Sequence, residues 1–204
     1  MPSMKKGLGV LLVIIGVIVI IAFSVRGTYN SLVGQQEGVD AAWAQVSNQY
    51  QRRADLVPNL VKTVEGSANF EKSTLESVVN ARASVGRVNI DASKAPDEAT
   101  LQRFQEAQGQ FSSALSRLLV VAENYPDLKA SAGFRDLQVQ LEGTENRIAV
   151  ERGRFNEVVR EYNTSVRKFP AVLFAGMFGF QTKPYFNSDA GTDKAPEVNF
   201  GSGQ

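Results

Sequence analysis

The sequence predicts an all-α protein: one transmembrane helix at the N-terminus, then an antiparallel four-helix bundle with long helices. Three observations carry that expectation. Residues 7–25 contain no charged side chain, and at 1.5 Å per residue they make about 28 Å of helix, close to the hydrocarbon thickness of a bilayer. Downstream, four stretches repeat apolar residues at spacings of three and four, the period of a helix buried on one face. Short links join these stretches, so neighbouring helices bury their faces against one another.

Residues 1–26 form the expected anchor. Lys5 and Lys6 precede the apolar run and Arg26 follows it. A cleaved signal peptide shares the basic start, but this run is longer than a signal core. It ends in Ala22-Phe23-Ser24-Val25-Arg26, with no small-x-small cleavage pattern. Two lysines before the span against one arginine after it predict a cytoplasmic N-terminus, with the rest of the chain on the outer side. Gly9 and Gly16 offer a small-residue face for helix association within lipid.

Composition narrows the chemistry of the remainder. Lys5, Lys6 and Arg26 are three of the 22 basic residues, which leaves 19 against 21 acidic ones and a formal charge of −2. Such a balance gives no electrostatic case for nucleic acid as a partner. The chain has no cysteine and no histidine, so disulfides, thiol nucleophiles, Cys/His zinc sites and histidine triads are excluded. No cofactor is expected, and no catalytic or metal-binding residues.

The first soluble helix is expected over residues 28–65, with Val39, Trp43, Val46, Tyr50, Ala54, Val57, Val61 and Val64 on one face. Its proximity to the span allows one continuous helix, while Gly27, Gly34 and Gly38 allow a hinge. Pro58 cannot donate to residue 54, which predicts a kink or a turn of 3₁₀ helix there. Gly66 is expected to stop the helix in the left-handed conformation. Ser67 or Asn69 is expected to cap a second helix reaching residue 85, with Leu75, Val78, Val79 and Arg82 marking its face. After a loop over residues 86–96, Asp97 caps a third helix on Leu101, Phe104, Phe111, Leu115, Leu118 and Ala122, with Gln108 as a gap in the seam. A fourth helix is expected over residues 127–168, its seam interrupted by Thr144 and Glu151.

With four helices alternating in direction, the fourth returns to the membrane. There the chain enters a second uncharged run, residues 169–180, too short to span and of a length read as core or interfacial segment. Packing on the bundle's own end and contact with the bilayer both suit it, the latter through Phe174, Phe178 and Phe180. Residues 27–186 are thus one bundle domain including residues 169–180, and 187–204 a flexible C-terminal tail.

Several blocks resemble the LemA family: YNSLVGQQEGVDAAWAQVSNQYQRRADLVPNLVKTVEG, STLESVVNARA, AENYPDLKA, LEGTENRIAVERGRFNEVVREYNTSVRKFP and GFQTKPYF. The resemblance covers about residues 28–186. It implies a bacterial single-pass membrane protein with a helical-bundle domain and no established enzymatic activity.

Candidate interaction residues come from two places. In QRRADLVPNLV, Arg52, Arg53, Asp55 and Asn59 lie partly opposite the apolar seam, and Asn48, Arg52, Asp55, Asn59 and Lys62 form a polar stripe. It is either a solvated face or a docking face shaped by Pro58. In AENYPDLKA, Tyr125 and Pro126 form either a capping turn or a contact site. Carboxylates crowd the fourth helix, but arginines among them at helical pair spacing describe a salt-bridged surface rather than an acid–base site, and Glu151 is expected to make a register-fixing polar contact. Asn163-Thr164-Ser165 matches a glycosylation sequon inside a helical pattern and is read as chance. The expected function is a non-enzymatic, membrane-tethered scaffold or adaptor for protein partners or for itself, possible as a homo-oligomer. The alternative is a membrane-remodelling protein gripping the lipid bilayer at the anchor and at residues 169–180.

Overall fold

The computed structural model describes residues 3–67 and 70–187, without the side chains of residues 3–7 and 10. All regular structure among these residues is helical: α1 (Ser3–Glu65), α2 (Lys72–Arg87), α3 (Glu98–Ala122), α4 (Pro126–Ala130) and α5 (Ala132–Arg167). Two turns of 3₁₀ helix follow, Ala171–Leu173 and Ala175–Phe178. The expected tail, apart from Asn187, lies outside the described residues, as does Asn69.

The predicted anchor and first bundle helix are one element. α1 runs unbroken for 63 residues, about 95 Å at the α-helical rise. Its glycines do not interrupt it, because each costs only about 1 kcal/mol relative to alanine and the helix is packed along α5 beyond them. Among the described residues one helix, α1, is long and apolar enough to cross a membrane. Its apolar side chains from Leu11 to Ile21 are exposed along the whole run, uncovered by any other of the described residues.

Pro58 leaves no 3₁₀ turn: α-helix continues on both sides of it. The carbonyl it would orphan belongs to Ala54, and Arg82 of α2 donates to that oxygen from Nε at 2.9 Å. Gly66 follows α1 but not in the left-handed region; among the described glycines Gly179, at φ 81°, is the one with positive φ. Ser67 does not cap α2, whose N-cap is Glu71 without a side-chain bond. Asp97 does cap α3, accepting from the Thr100 amide at 2.7 Å. The predicted fourth helix is split. Ser131 ends α4 and caps α5, accepting from the Phe134 amide at 3.2 Å. A serine that satisfies an amide at a cap competes well with its own helical conformation.

The core has two apolar parts. One gathers Leu32, Trp43 and Tyr50 of α1, Phe104 of α3, and Phe155 and Tyr162 of α5. Trp43 is fully buried, with Phe104 and Phe155 edge-on at 5.6 and 5.9 Å. The other gathers Leu60 and Val64, Val78 of α2, Phe111 and Leu118 of α3, and Phe134 of α5. Removing each such side chain from water contributes about 1.5–3 kcal/mol.

Arg53 lies between the two parts, only 1% exposed. Its guanidinium donates to Gln108, to Glu145 and, at 2.7 Å, to Ser112. Tyr50 and Phe111 sandwich it at 5.2 and 5.1 Å. The seam gaps at Gln108 and Thr144 are both buried; Gln108 belongs to this polar layer, and Thr144 satisfies its hydroxyl on the Gln140 carbonyl of its own helix at 2.7 Å. The loop between α2 and α3 is pinned to α1: Asp40 accepts from the Ala95 amide at 2.8 Å and Trp43 Nε1 donates to the Asp91 carbonyl at 2.9 Å.

Candidate membrane-contact surface

The chain after α5 folds back against α1 just beyond the apolar run. Lys168 caps α5, and two 3₁₀ turns carry the chain to Gly179, whose left-handed conformation reverses it. Alternate small residues face inward: Ala171 and Ala175 are buried, as is Phe180. The rings of Phe178 and Phe180 meet Tyr29 edge-on at 5.3 and 5.4 Å. Tyr29 stands about 6 Å of helix past Val25, the end of the uncharged run. On the other flank a groove of about 330 Å³ separates Gly27, Thr28 and Ser31 from Lys168 and Phe169.

The outward face of this segment is apolar. Phe169 is 79% exposed, Leu173 68% and Met177 84%, with Val172 and Phe178 beside them. A contiguous exposed apolar patch on a water-soluble surface marks an interaction site, and this one sits at the level where α1 leaves its apolar run. Arg26, Arg167 and Lys168 are exposed at the same end.

The three phenylalanines singled out from sequence divide. Phe178 is exposed, Phe174 is half-buried against it at 5.9 Å, and Phe180 is in the core. Phe169, Leu173 and Met177 were missed. Which residue of a 3₁₀ turn points outward depends on where the small residues seat, and Ala171 and Ala175 decide it here.

The candidate docking stripe also divides. Arg52, Asp55, Pro58 and Asn59 are exposed, together with Asn48 and Lys62. Arg53 is not available as a docking residue, because the polar layer encloses it. Tyr125 is half-buried at the N-cap of α4, 4.9 Å from the Phe70 ring, and Pro126 is exposed at the first position of α4.

The crowded carboxylates of α5 do not converge. Glu157 and Glu151 pair with Arg160 and Arg154 of the same helix at 3.3 and 3.7 Å, whereas Glu145 turns to Arg53. The cross-helix polar contact expected of Glu151 is made instead by Glu145. Among the described residues no group of three or more acidic side chains is placed to hold a metal ion.

Asn156 and Asn163 carry a role that sequence reading did not assign. Both carboxamides hold the extended chain over residues 181–187. Asn163, the acceptor position of the sequon, is buried with its carboxamide engaged, whereas Thr164 and Ser165 are half-buried. The pair's spacing of seven, beside Phe155 and Tyr162 on the seam, was the available signal.

The family model of the LemA family matches residues 42–200. The chain is also similar to Magnetosome protein MamQ of Magnetospirillum gryphiswaldense, 26% identical over 93% of this chain and 76% of that protein. Magnetosome protein MamQ 1 of Paramagnetospirillum magneticum is 26% identical over 89% of this chain and 74% of that protein. Protein LemA of Metamycoplasma hominis is 23% identical over 70% of this chain and 61% of that protein.

Proposed function

This chain belongs to the LemA family, and from that premise we propose that it is a non-enzymatic, single-pass membrane protein whose helical domain is a tethered scaffold or adaptor seated on the bilayer at two places. The first is the apolar run of α1. The second is the ridge of Phe169, Leu173 and Met177. Two contacts support an antiparallel bundle for the domain: Tyr162 approaches Gln36 at 3.4 Å and Arg53 pairs with Glu145, as expected where α5 runs back alongside α1 toward the apolar run. By its flanking charges the N-terminus is cytoplasmic and the bundle stands on the outer side.

The observation that carries this reading is the ridge's position beside Tyr29. Each ridge side chain leaving water contributes about 1.5–3 kcal/mol, and the neighbouring Arg26, Arg167 and Lys168 suit the headgroup layer. Two contacts fix the tilt of the bundle, which a single helix leaves free, and so hold the exposed Arg52, Asp55 and Asn59 at a set height for partners.

Met177→Trp in the full chain, reconstituted in vesicles with bromine-labelled acyl chains, tests the seating. Its emission should be strongly quenched relative to Val120→Trp, placed at the far end of α3 where residue 120 is 64% exposed. Equal, weak quenching at both positions would remove the second contact. A membrane-remodelling role is favoured by the same shallow apolar ridge, which would wedge into one leaflet. Electron microscopy of the full chain with vesicles separates the two: deformed vesicles or ordered arrays for remodelling, unaltered vesicles for the scaffold.

A further inference from the structure

Residues 181–187 run as an extended strap along α5, and α5 holds them the way a neighbouring β-strand would. The Asn163 carboxamide donates to the Lys183 carbonyl at 2.8 Å and accepts from the Lys183 amide at 2.7 Å. Asn156 does the same to Phe186, at 2.9 and 2.8 Å. A side-chain amide carries one donor and one acceptor face, so each asparagine reproduces a strand's peptide group. The spacing fits. Seven residues of helix are about 10.5 Å, and three residues of extended chain about 10 Å. At the far end Gln105 accepts from the Asn187 amide at 3.1 Å and Arg152 donates to the Asn187 carbonyl at 2.7 Å.

All of these bonds end on the strap's main chain. Side-chain identity is read in one place, where Phe186 is buried with Trp43 stacked on it at 6.0 Å, Phe155 edge-on at 5.5 Å and Arg152 over its ring at 5.2 Å. A site that grips backbone and takes one aromatic ring accepts an extended polypeptide from any source that presents the ring in register. Phe180 is held against Tyr29, and the exposed Gln181 and Thr182 that follow it are the natural pivot between that seat and the strap.

We propose that this groove is an exchange site between copies, in which Asn156 and Asn163 of one molecule hold residues 183–187 of its neighbour. This deepens the scaffold reading by naming a second copy as the partner, and it rests on that reading for the copies being tethered to one membrane. Tethering favours the exchange. Anchored copies share an orientation and a height, so a neighbour's strap arrives level with the groove and at high effective concentration. The swapped contacts are the same as the internal ones, so exchange between equals costs little beyond release and recapture.

The absence of native cysteine makes the test clean. One preparation of the full chain carries Gln105→Cys and a second, differently tagged, carries Asn187→Cys; the two are co-reconstituted and oxidised. Exchange gives a covalent heterodimer several-fold above that from Asn187→Cys mixed with Val139→Cys, an exposed position on α5 outside the groove. Adding Asn156→Ala and Asn163→Ala to the Gln105→Cys chain abolishes the excess. A chain carrying both cysteines reports whether the strap is seated. If it crosslinks only within itself, and the mixed sample gives no excess, the strap is a fixed internal element and the proposal fails. No crosslink of either kind overturns it as well. Quenching at Met177→Trp is independent of these outcomes, so failure of exchange leaves the two-point seating standing.

Discussion

Arg82 supplies from α2 the hydrogen bond that Pro58 removes from α1. Its Nε donates at 2.9 Å to the Ala54 carbonyl, the acceptor four residues before the proline. A proline inside a helix normally leaves that oxygen bare and costs about 3 kcal/mol. Here the acceptor that the proline leaves open is also a docking contact between α1 and α2.

The two residues should therefore be coupled. Arg82→Ala alone is expected to destabilise by about 1 kcal/mol. In a Pro58→Ala background, where residue 58 regains its own amide, the same change should cost close to nothing. Denaturant unfolding of the four-member cycle measures it, and additive effects would refute the shared acceptor.

Arg53 predicts a larger effect. Arg53→Met removes a buried cation and leaves Gln108 and Glu145 without their partner between two apolar layers. Breaking a buried ion pair from one side costs about 3–5 kcal/mol, and because Glu145 is 45% exposed on its side chain and keeps some water, the lower end is expected. Replacing Gln108 by Leu in the same chain should recover part of the loss. Thermal unfolding reads both.

Phe186→Ala should cost about 3–5 kcal/mol, since the ring is buried against Trp43 and Phe155. Trp43 is the chain's single tryptophan, so its emission should move to longer wavelength as the strap lifts. An unshifted spectrum would mean that the ring is not on Trp43 in solution.

Tyr162 contributes to the loss of stability in alkali. Burial pushes its phenol above the ordinary tyrosine value, and the Asp40 carboxylate pushes it further in the same direction. The folded chain thus keeps a proton that the unfolded chain releases. Stability from this group is intact below the ordinary tyrosine range near pH 10 and falls as pH rises through the folded value. Tyr162→Phe should flatten the decline of stability above pH 10.

On the acid side Asp97 and Asp91 act oppositely. The Thr100 amide and hydroxyl hold the Asp97 carboxyl below its usual range, and Ser93 does the same for Asp91. Their contribution is present above the ordinary aspartate range and lost as pH falls through the folded values. Protection of the first-turn amides of α3 against hydrogen exchange, corrected for the intrinsic rate at each pH, should fall in acid, and Asp97→Asn should remove that dependence.

The sequence by itself determined the elements whose signals are local. Nineteen uncharged residues set the span, and the three-four spacing of Val39, Trp43, Val46 and Tyr50 set the buried face of α1. Asp97 marked the start of α3 and Asn124-Tyr125-Pro126-Asp127 the break after it, because a cap or a missing amide acts within one turn; the split at Ser131 went unread. Even the polar layer left a trace as a gap at Gln108. What filled the gap was beyond reach: Arg53 lies 55 positions from Gln108 and 92 from Glu145, and only packing α1 against both α3 and α5 brings them together. The same holds after α5. Residues 169–180 read as apolar throughout, but which side chains face out was decided by Ala171 and Ala175 seating on the bundle. In the sequence Asn156 and Asn163 stand among the charged residues of a salt-bridged helix face. They became a clamp because the chain reverses at Gly179 and returns as an extended strap at the one spacing that both carboxamides can pair.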